Sequence, residues 1–236
     1  MKKINVILNK IAPKAHFEVS ALEKEDTPKS EWQTIDHALA YLTRADKLPH
    51  RTEGEKVLLD QLSPSVRRIL DLGTGDGRLL SLVLLNNPAA EGVALDFSEP
   101  MLSHAKKRFS DDKRVVTVKH DFSLPLPESI GYFDAVVSSL AIHHLTDPRK
   151  KQLYKEIFAH LNPKGVFCNL EHVSSPTQNL HLKFIGLIGQ TPETEDHSNK
   201  LLDVETQLGW FRAIGFVDVD NSWKWLELAL LVGFKP

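Results

Sequence analysis

Apolar residues along this chain fall into two patterns. Short, nearly continuous apolar runs occur at Arg68–Leu72, Gly92–Asp96, Val115–Val118, Phe133–Ser138 and Val166–Leu170, with the length and β-branched content of strands covered on both faces. Between them the apolar positions recur at helical steps. Leu79–Leu85 is apolar nearly all round and stops at Asn86-Asn87-Pro88, as a buried helix would. Ser98 is placed to cap a helix with Glu99 and Pro100 in its first turn and Met101, Leu102, Ala105 and Phe109 as its buried stripe. Asp147-Pro148 opens another, with Leu153, Ile157 and Leu161 along one face. Asp203 opens the last, with Val204, Leu208 and Phe211 inward and Gly215 at its end. Strands alternating with helices predict an α/β protein built on an open, doubly wound sheet.

The flanks are read from the same pattern. Trp32, Ile35, Leu39 and Leu42 predict a helix from Glu31 capped by Ser30, and Val57-Leu58-Leu59 with Leu62 a second that ends before Ser63-Pro64. The stretch Ala45–Glu53 between them is too polar for core. Residues 1–30 have no period and are read as an extension of unassigned order, ahead of a single domain over 31–236 with cap helices at 31–62. In 173–200 an apolar piece, Leu180 to Leu187, precedes a polar run, Thr191 to Asn199; it is a candidate lid, or else ordinary packing on the sheet. Phe216–Asp220 and Leu226–Val232 predict a closing hairpin, between whose strands Trp223 and Trp225 either wall an acceptor pocket or cap the hairpin.

Composition narrows the function more by exclusion than by assignment. The 236 residues are 42% hydrophobic, ordinary for a soluble globular protein of one domain. With 29 basic and 31 acidic residues the formal charge is -2, which gives no field for steering onto nucleic acid. Cys168 stands alone in an apolar run and is expected to be a buried core thiol. Asn5, Asn9 and Lys10 interrupt the amino-terminal apolar residues, so neither a signal peptide nor a membrane span is expected, and the cytoplasm is the expected compartment.

The chemistry gathers at Asp71-Leu72-Gly73-Thr74-Gly75-Asp76-Gly77, between the first strand and its helix. Such glycines suit a backbone turning sharply beneath a ligand. A dinucleotide fingerprint would put its third glycine where Arg78 stands, which argues against a nicotinamide oxidoreductase. Asp96 follows at roughly the 20-residue distance at which a nucleotide fold places the acid that accepts ribose hydroxyls. Asp121 and Phe122 follow the third strand, where an acid can accept the adenine amino hydrogen and an aromatic can stack on the base; turn formation before Pro125 is the alternative.

The Asp71–Gly77 motif resembles the first motif of the class I S-adenosylmethionine (SAM) dependent methyltransferases. Asp96-Phe97-Ser98-Glu99-Pro100-Met101-Leu102 and Leu161-Asn162-Pro163-Lys164-Gly165 are similar to wording of the same family, over roughly Arg68 to Val232. The resemblance implies a seven-stranded, mostly parallel sheet of Rossmann-like type with a helical cover. It implies SAM as cofactor, held by Asp71, Gly73, Gly75, Gly77, Asp96, Phe97, Met101, Asp121, Phe122 and Ser138. It also implies a small-molecule acceptor facing the loop that carries His143 and His144, either of which is a candidate proton acceptor or acceptor-binding group, a packed loop histidine being the alternative. Helices ahead of the first strand close over the cofactor in this family, so Tyr41, Arg44, His50 and Arg51 are candidates to face the site, with Arg51 as a carboxylate partner. His143, His144, Glu171 and His172 lack the spacing of a metal site. Two related alternatives stay open: a non-catalytic SAM-binding protein, and a SAM-fold enzyme similar to carboxy-SAM synthases, against which Trp210 stands where an arginine is called for.

Overall fold

The computed structural model describes residues 48–236. The extension 1–30, the helix expected from Glu31, and Tyr41 and Arg44 lie outside the described residues. The chain runs α1 (Arg51–Asp60), β1 (Arg68–Leu72), α2 (Arg78–Asn86), β2 (Glu91–Asp96), α3 (Glu99–Arg108), β3 (Val115–Lys119), β4 (Phe133–Ser139), α4 (Asp147–His160), β5 (Leu161–His172), α5 (Gln178–Leu187), α6 (Val204–Ile214), β6 (Val217–Trp225) and β7 (Leu228–Phe234). The strands form one seven-stranded sheet in the order β3-β2-β1-β4-β5-β7-β6. β1 to β5 are parallel, and β7 is antiparallel to both β5 and β6. Strand order reverses between β1 and β4, and a crevice for ligand opens at the carboxyl ends of strands at such a point.

The central strands read as continuous apolar runs because each face is packed. Leu70, Leu72 and Val136 join one core with Tyr154, Phe167 and Phe211 from α4, β5 and α6. Ile69, Ala135 and Val137 turn to the other, with Leu58 from α1 and Leu80 and Val83 from α2. Helix starts follow their caps: Ser98 Oγ accepts from Met101 N, and Asp203 Oδ1 accepts from Thr206 N at 2.8 Å. Cys168 is fully buried and burial pushes its thiol pKa up, so it packs as core.

The elements differ from the sequence reading in several places, among them β5, which starts at Leu161, read as the last residue of the helix face, rather than at Val166. α1 begins at Arg51, inside the stretch read as too polar for core, because a helix needs only one buried stripe and Arg51, Gly54, Glu55 and Leu58 supply it. α2 is not buried all round; it covers one face of the sheet and leaves Leu85 78% exposed. The hairpin turns at Leu226-Glu227, so Trp223 and Trp225 lie within β6, paired with Leu230 and Leu228. Trp225 packs against His50, with ring centroids 4.5 Å apart, and against Phe184 of α5 at 5.8 Å. Neither tryptophan lines the cavity described below.

Candidate functional site

A cavity of about 350 Å³ opens at the carboxyl ends of β1, β2 and β4, within the size range of small-molecule sites. Its floor is the glycine loop. Gly73 N and Thr74 N both donate to Leu95 O, at 2.9 and 3.0 Å, which fastens the loop to β2. Gly75 N donates to Asp96 Oδ2 at 2.9 Å, and Ser98 N donates to Asp96 Oδ1 at the same distance. One carboxylate thereby joins the glycine loop to the start of α3. Each of its oxygens keeps further lone-pair capacity, so Asp96, which lines the cavity, can also accept two hydroxyls. Burial raises the Asp96 pKa against the opposing pull of the Ser98 and Gly75 N–H groups.

Asp71 lies beside it, 1% exposed, accepting from Thr74 Oγ1 at 2.7 Å. Burial is the main cause that raises its pKa to about 7, with Asp96 adding to it against the Thr74 hydrogen bond. An acid whose pKa is raised on folding binds its proton more tightly in the native state. Between the unfolded value near 4 and the native value near 7, stability therefore falls as pH rises. Asp71→Asn is expected to flatten that slope, read as melting temperature against pH from 4 to 8; an unchanged slope would remove Asp71 as its source.

Phe97, Met101, Asp121 and Phe122 also line the cavity. Asp121 Oδ1 accepts from Ser123 N at 2.8 Å, so the expected turn forms and the acid still reaches the cavity. Phe122 is buried, its ring 3.5 Å from where a Cβ on Gly73 would stand. Gly77 lies outside the lining: it caps α2 at φ 82, and a Cβ on it would stand 2.4 Å from the Phe109 ring. Ser138 also lies outside the lining. It is fully buried, its Oγ donates to Leu72 O at 2.8 Å across the β1–β4 pair, and Ser139 lines the cavity in its place.

The two histidines separate. His143 is 6% exposed and outside the lining, its Nδ1 2.6 Å from Glu171 Oε1. His144 lines the cavity, with Nδ1 2.8 Å from Ser198 Oγ and its ring 4.1 Å from that of His143. Burial first, and the neighbouring His143 second, bring the His144 pKa down to about 3, which makes it a weak base.

Arg51 also lines the cavity, largely buried, with Nε 3.0 Å from Glu55 Oε1. Arg78 meets the same buried carboxylate oxygen and lines the cavity too. Sequence reasoning missed Arg78, Leu140, Ser198 and Lys200 among the lining residues. Arg78 had a signal in its place directly after the glycines. Leu140, at φ 54, had none, because a bulky residue in the left-handed region is imposed by its surroundings. Among the described residues no group of three or more His, Cys, Asp or Glu side chains is arranged to hold a metal ion, and no helix is long and apolar enough to cross a membrane.

A family model described as a methyltransferase domain matches residues 69–165. A demethylmenaquinone methyltransferase of Clavibacter sepedonicus is 31% identical over 169 residues, covering 65% of this chain and 67% of that protein. Another protein of that name, from Thermus thermophilus, is 33% identical over 115 residues, 49% of this chain and 51% of its own length. Among solved structures, an O-methyltransferase family protein from Burkholderia thailandensis superimposes with a TM-score of 0.66 at 16% identity, over 85% of this chain and 59% of that one. This chain thus spans about half of the Thermus relative and less than two thirds of the Burkholderia protein. Glycine loop, sheet order and sequence kinship agree, and the chain belongs to the class I SAM-dependent methyltransferases.

Proposed function

We propose that this protein transfers the methyl group of SAM to an O, N or C nucleophile of a small-molecule acceptor, holding SAM across Gly73, Gly75, Asp96 and Asp121. The observation that carries the reading is Asp96: a buried carboxylate in the cavity lining, bonded to Gly75 N and Ser98 N, with capacity left for the two ribose hydroxyls. Asp121 and Phe122 take the adenine, Phe97 and Met101 pack beside the nucleoside, and Arg51 takes the carboxylate of the methionine part or of the acceptor through a charge-assisted pair. Asp71, also in the cavity lining, fixes the loop through Thr74, and Gly77, outside it, shapes the turn into α2.

When bound, SAM supplies an electrophilic methyl on a positively charged sulfur, displaced in line by the acceptor. Alignment of two reactants alone contributes about 7–11 kcal/mol, so the chain's main task is placement. Ser139, Leu140, Ala141, His144 and Leu145 form the acceptor side. His144, neutral, is a hydrogen-bonding partner that orients the acceptor rather than its base. The three apolar residues there favour a small, partly apolar acceptor. The names of the Clavibacter and Thermus relatives make a demethylmenaquinone-type ring the first acceptor to try. The formal charge of -2 also favours a small molecule over nucleic acid.

Incubation of the protein with methyl-labelled SAM and a metabolite extract, alongside a panel of quinols, tests the reading. Label in an organic product with release of S-adenosylhomocysteine is expected. No release over the Asp96→Ala background with any acceptor would leave a binding protein. Phe122→Ala is expected to weaken S-adenosylhomocysteine binding about tenfold through loss of adenine stacking, measured by calorimetry. An unchanged affinity would put the base elsewhere.

A further inference from the structure

A second cluster of ionisable groups lies outside the cavity, at the tip of the β6–β7 hairpin. Glu227, in the hairpin turn, is fully buried. Its Oε2 lies 3.0 Å from His172 Nε2, at the end of β5, and its Oε1 lies 3.1 Å from His181 Nδ1, on α5. The other ring nitrogen of His181, Nε2, lies 3.1 Å from Glu195 Oε2, in the segment that follows α5. One imidazole therefore ties α5 to the sheet tip on one side and to that segment on the other. Further along, the same segment meets the cavity. Ser198 Oγ contacts His144 Nδ1 at 2.8 Å, Lys200 N donates to His143 O at 2.9 Å, and Lys200 Nζ donates to His144 O at 2.9 Å.

The hydrogen count at His181 decides its protonation. A neutral imidazole has one N–H and one lone pair, and only the imidazolium donates from both nitrogens. Both His181 nitrogens face carboxylate oxygens, so both hydrogen bonds exist only when the ring is charged. A neutral ring would turn a lone pair toward one carboxylate. Glu227 is fully buried and also held by His172, whereas the Glu195 side chain is 18% exposed and has His181 as its ion-pair partner. The Glu195 contact is the one that yields.

We propose that His181 is a positioning residue: as the imidazolium it latches the 191–200 segment down as a lid, setting Ser198 and Lys200 against the cavity, and as the neutral ring it releases the segment. That the covered side receives the acceptor rests on the methyl-transfer reading; the latch itself does not.

The groups around His181 agree in sign. Glu227 faces it from the hairpin turn and Glu195 from the segment. His172 from β5 and the Ser175 hydroxyl share Glu227, Lys224 acts on Glu227 from β6, and His143 and Glu171 act on His172 from behind. Burial alone would lower the His181 pKa, but the hydrogen bonds and charges of Glu227 and Glu195 prevail and raise it. Burial holds His172 low, so it serves Glu227 as a neutral donor. A raised histidine pKa means that docking is fully supported below the ordinary imidazole value near 6.5 and is lost as pH rises through the raised value.

Hydrogen exchange on the full chain between pH 6 and pH 9, corrected for intrinsic base catalysis, tests the latch without cofactor or acceptor, so its failure is separable from failure of the methyl-transfer reading. In the wild type, protection of the 191–200 amides is expected to drop about tenfold or more across that range, while β5 and β7 amides stay protected and report the intact fold. His181→Gln is expected to leave the segment weakly protected throughout. His181→Lys, charged over the whole range, is expected to keep it protected at pH 9. Wild-type protection of the segment that is flat with pH, or His181→Gln as protected as the wild type at pH 6, would overturn the proposal.

Discussion

Asp96→Ala is expected to weaken S-adenosylhomocysteine binding by at least about a hundredfold. Hydrogen bonds to a charged group contribute roughly 1.5–3 kcal/mol each, and two ribose hydroxyls lose their acceptor together. The loop suffers as well, because Gly75 N and Ser98 N lose the carboxylate that joins them. Calorimetry measures the affinity, and a thermal melt of the same sample establishes that the variant is folded. Asp96→Asn, with one acceptor oxygen left, is expected to fall between. Equal affinities for Asp96→Ala and wild type would remove Asp96 from the ribose.

Gly73→Ala is expected to be the most damaging single substitution in the loop. Gly73 sits at φ +68, where a Cβ is strained, and that Cβ would stand 2.3 Å from the Ala141 Cβ. The neighbour is a short side chain on the loop after β4, so no flexible end can swing away; loop or turn must move. The combined strain and overpacking are expected to destabilise the fold by about 2–4 kcal/mol and to abolish cofactor binding, because the cavity floor and the loop after β4 touch at this point. Denaturant unfolding and calorimetry measure the two effects. Gly73→Ala,Ala141→Gly removes the steric part and is expected to recover some stability, with the φ strain remaining.

What could be read from the sequence was what depends on local pattern. β1, β2 and β4 were legible because both their faces are packed, so that Ile69 and Leu70 are both apolar although they point into different cores. Asp96 was legible because strand, glycine turn and helix fix its distance from Gly75. Ser139 and Ser138 were not distinguishable, because which of two adjacent serines faces a ligand depends on where β4 ends, and strand ends are set by neighbours. The same holds for the two histidines: which one lines the cavity is decided by Glu171, 28 positions away, which takes His143. α1 was placed too late because Glu55 is a charged residue on a buried stripe, tolerated only by the guanidinium groups of Arg51 and Arg78 beside it. Ser198 and Lys200 reach the cavity from a polar run with no periodicity, brought there by contacts with the turn at His143 and His144. The hairpin strands were legible and their turn was not, since Leu226 adopts φ 50 without a turn residue to announce it.

The most direct measurement is a crystal structure of the full chain grown with S-adenosylhomocysteine. The expected result has both ribose hydroxyls on the Asp96 carboxylate, the adenine between Asp121 and Phe122, and the sulfur facing the turn that carries His144. Well-ordered S-adenosylhomocysteine bound away from Asp96, or no binding at concentrations that saturate a known methyltransferase, would contradict the account.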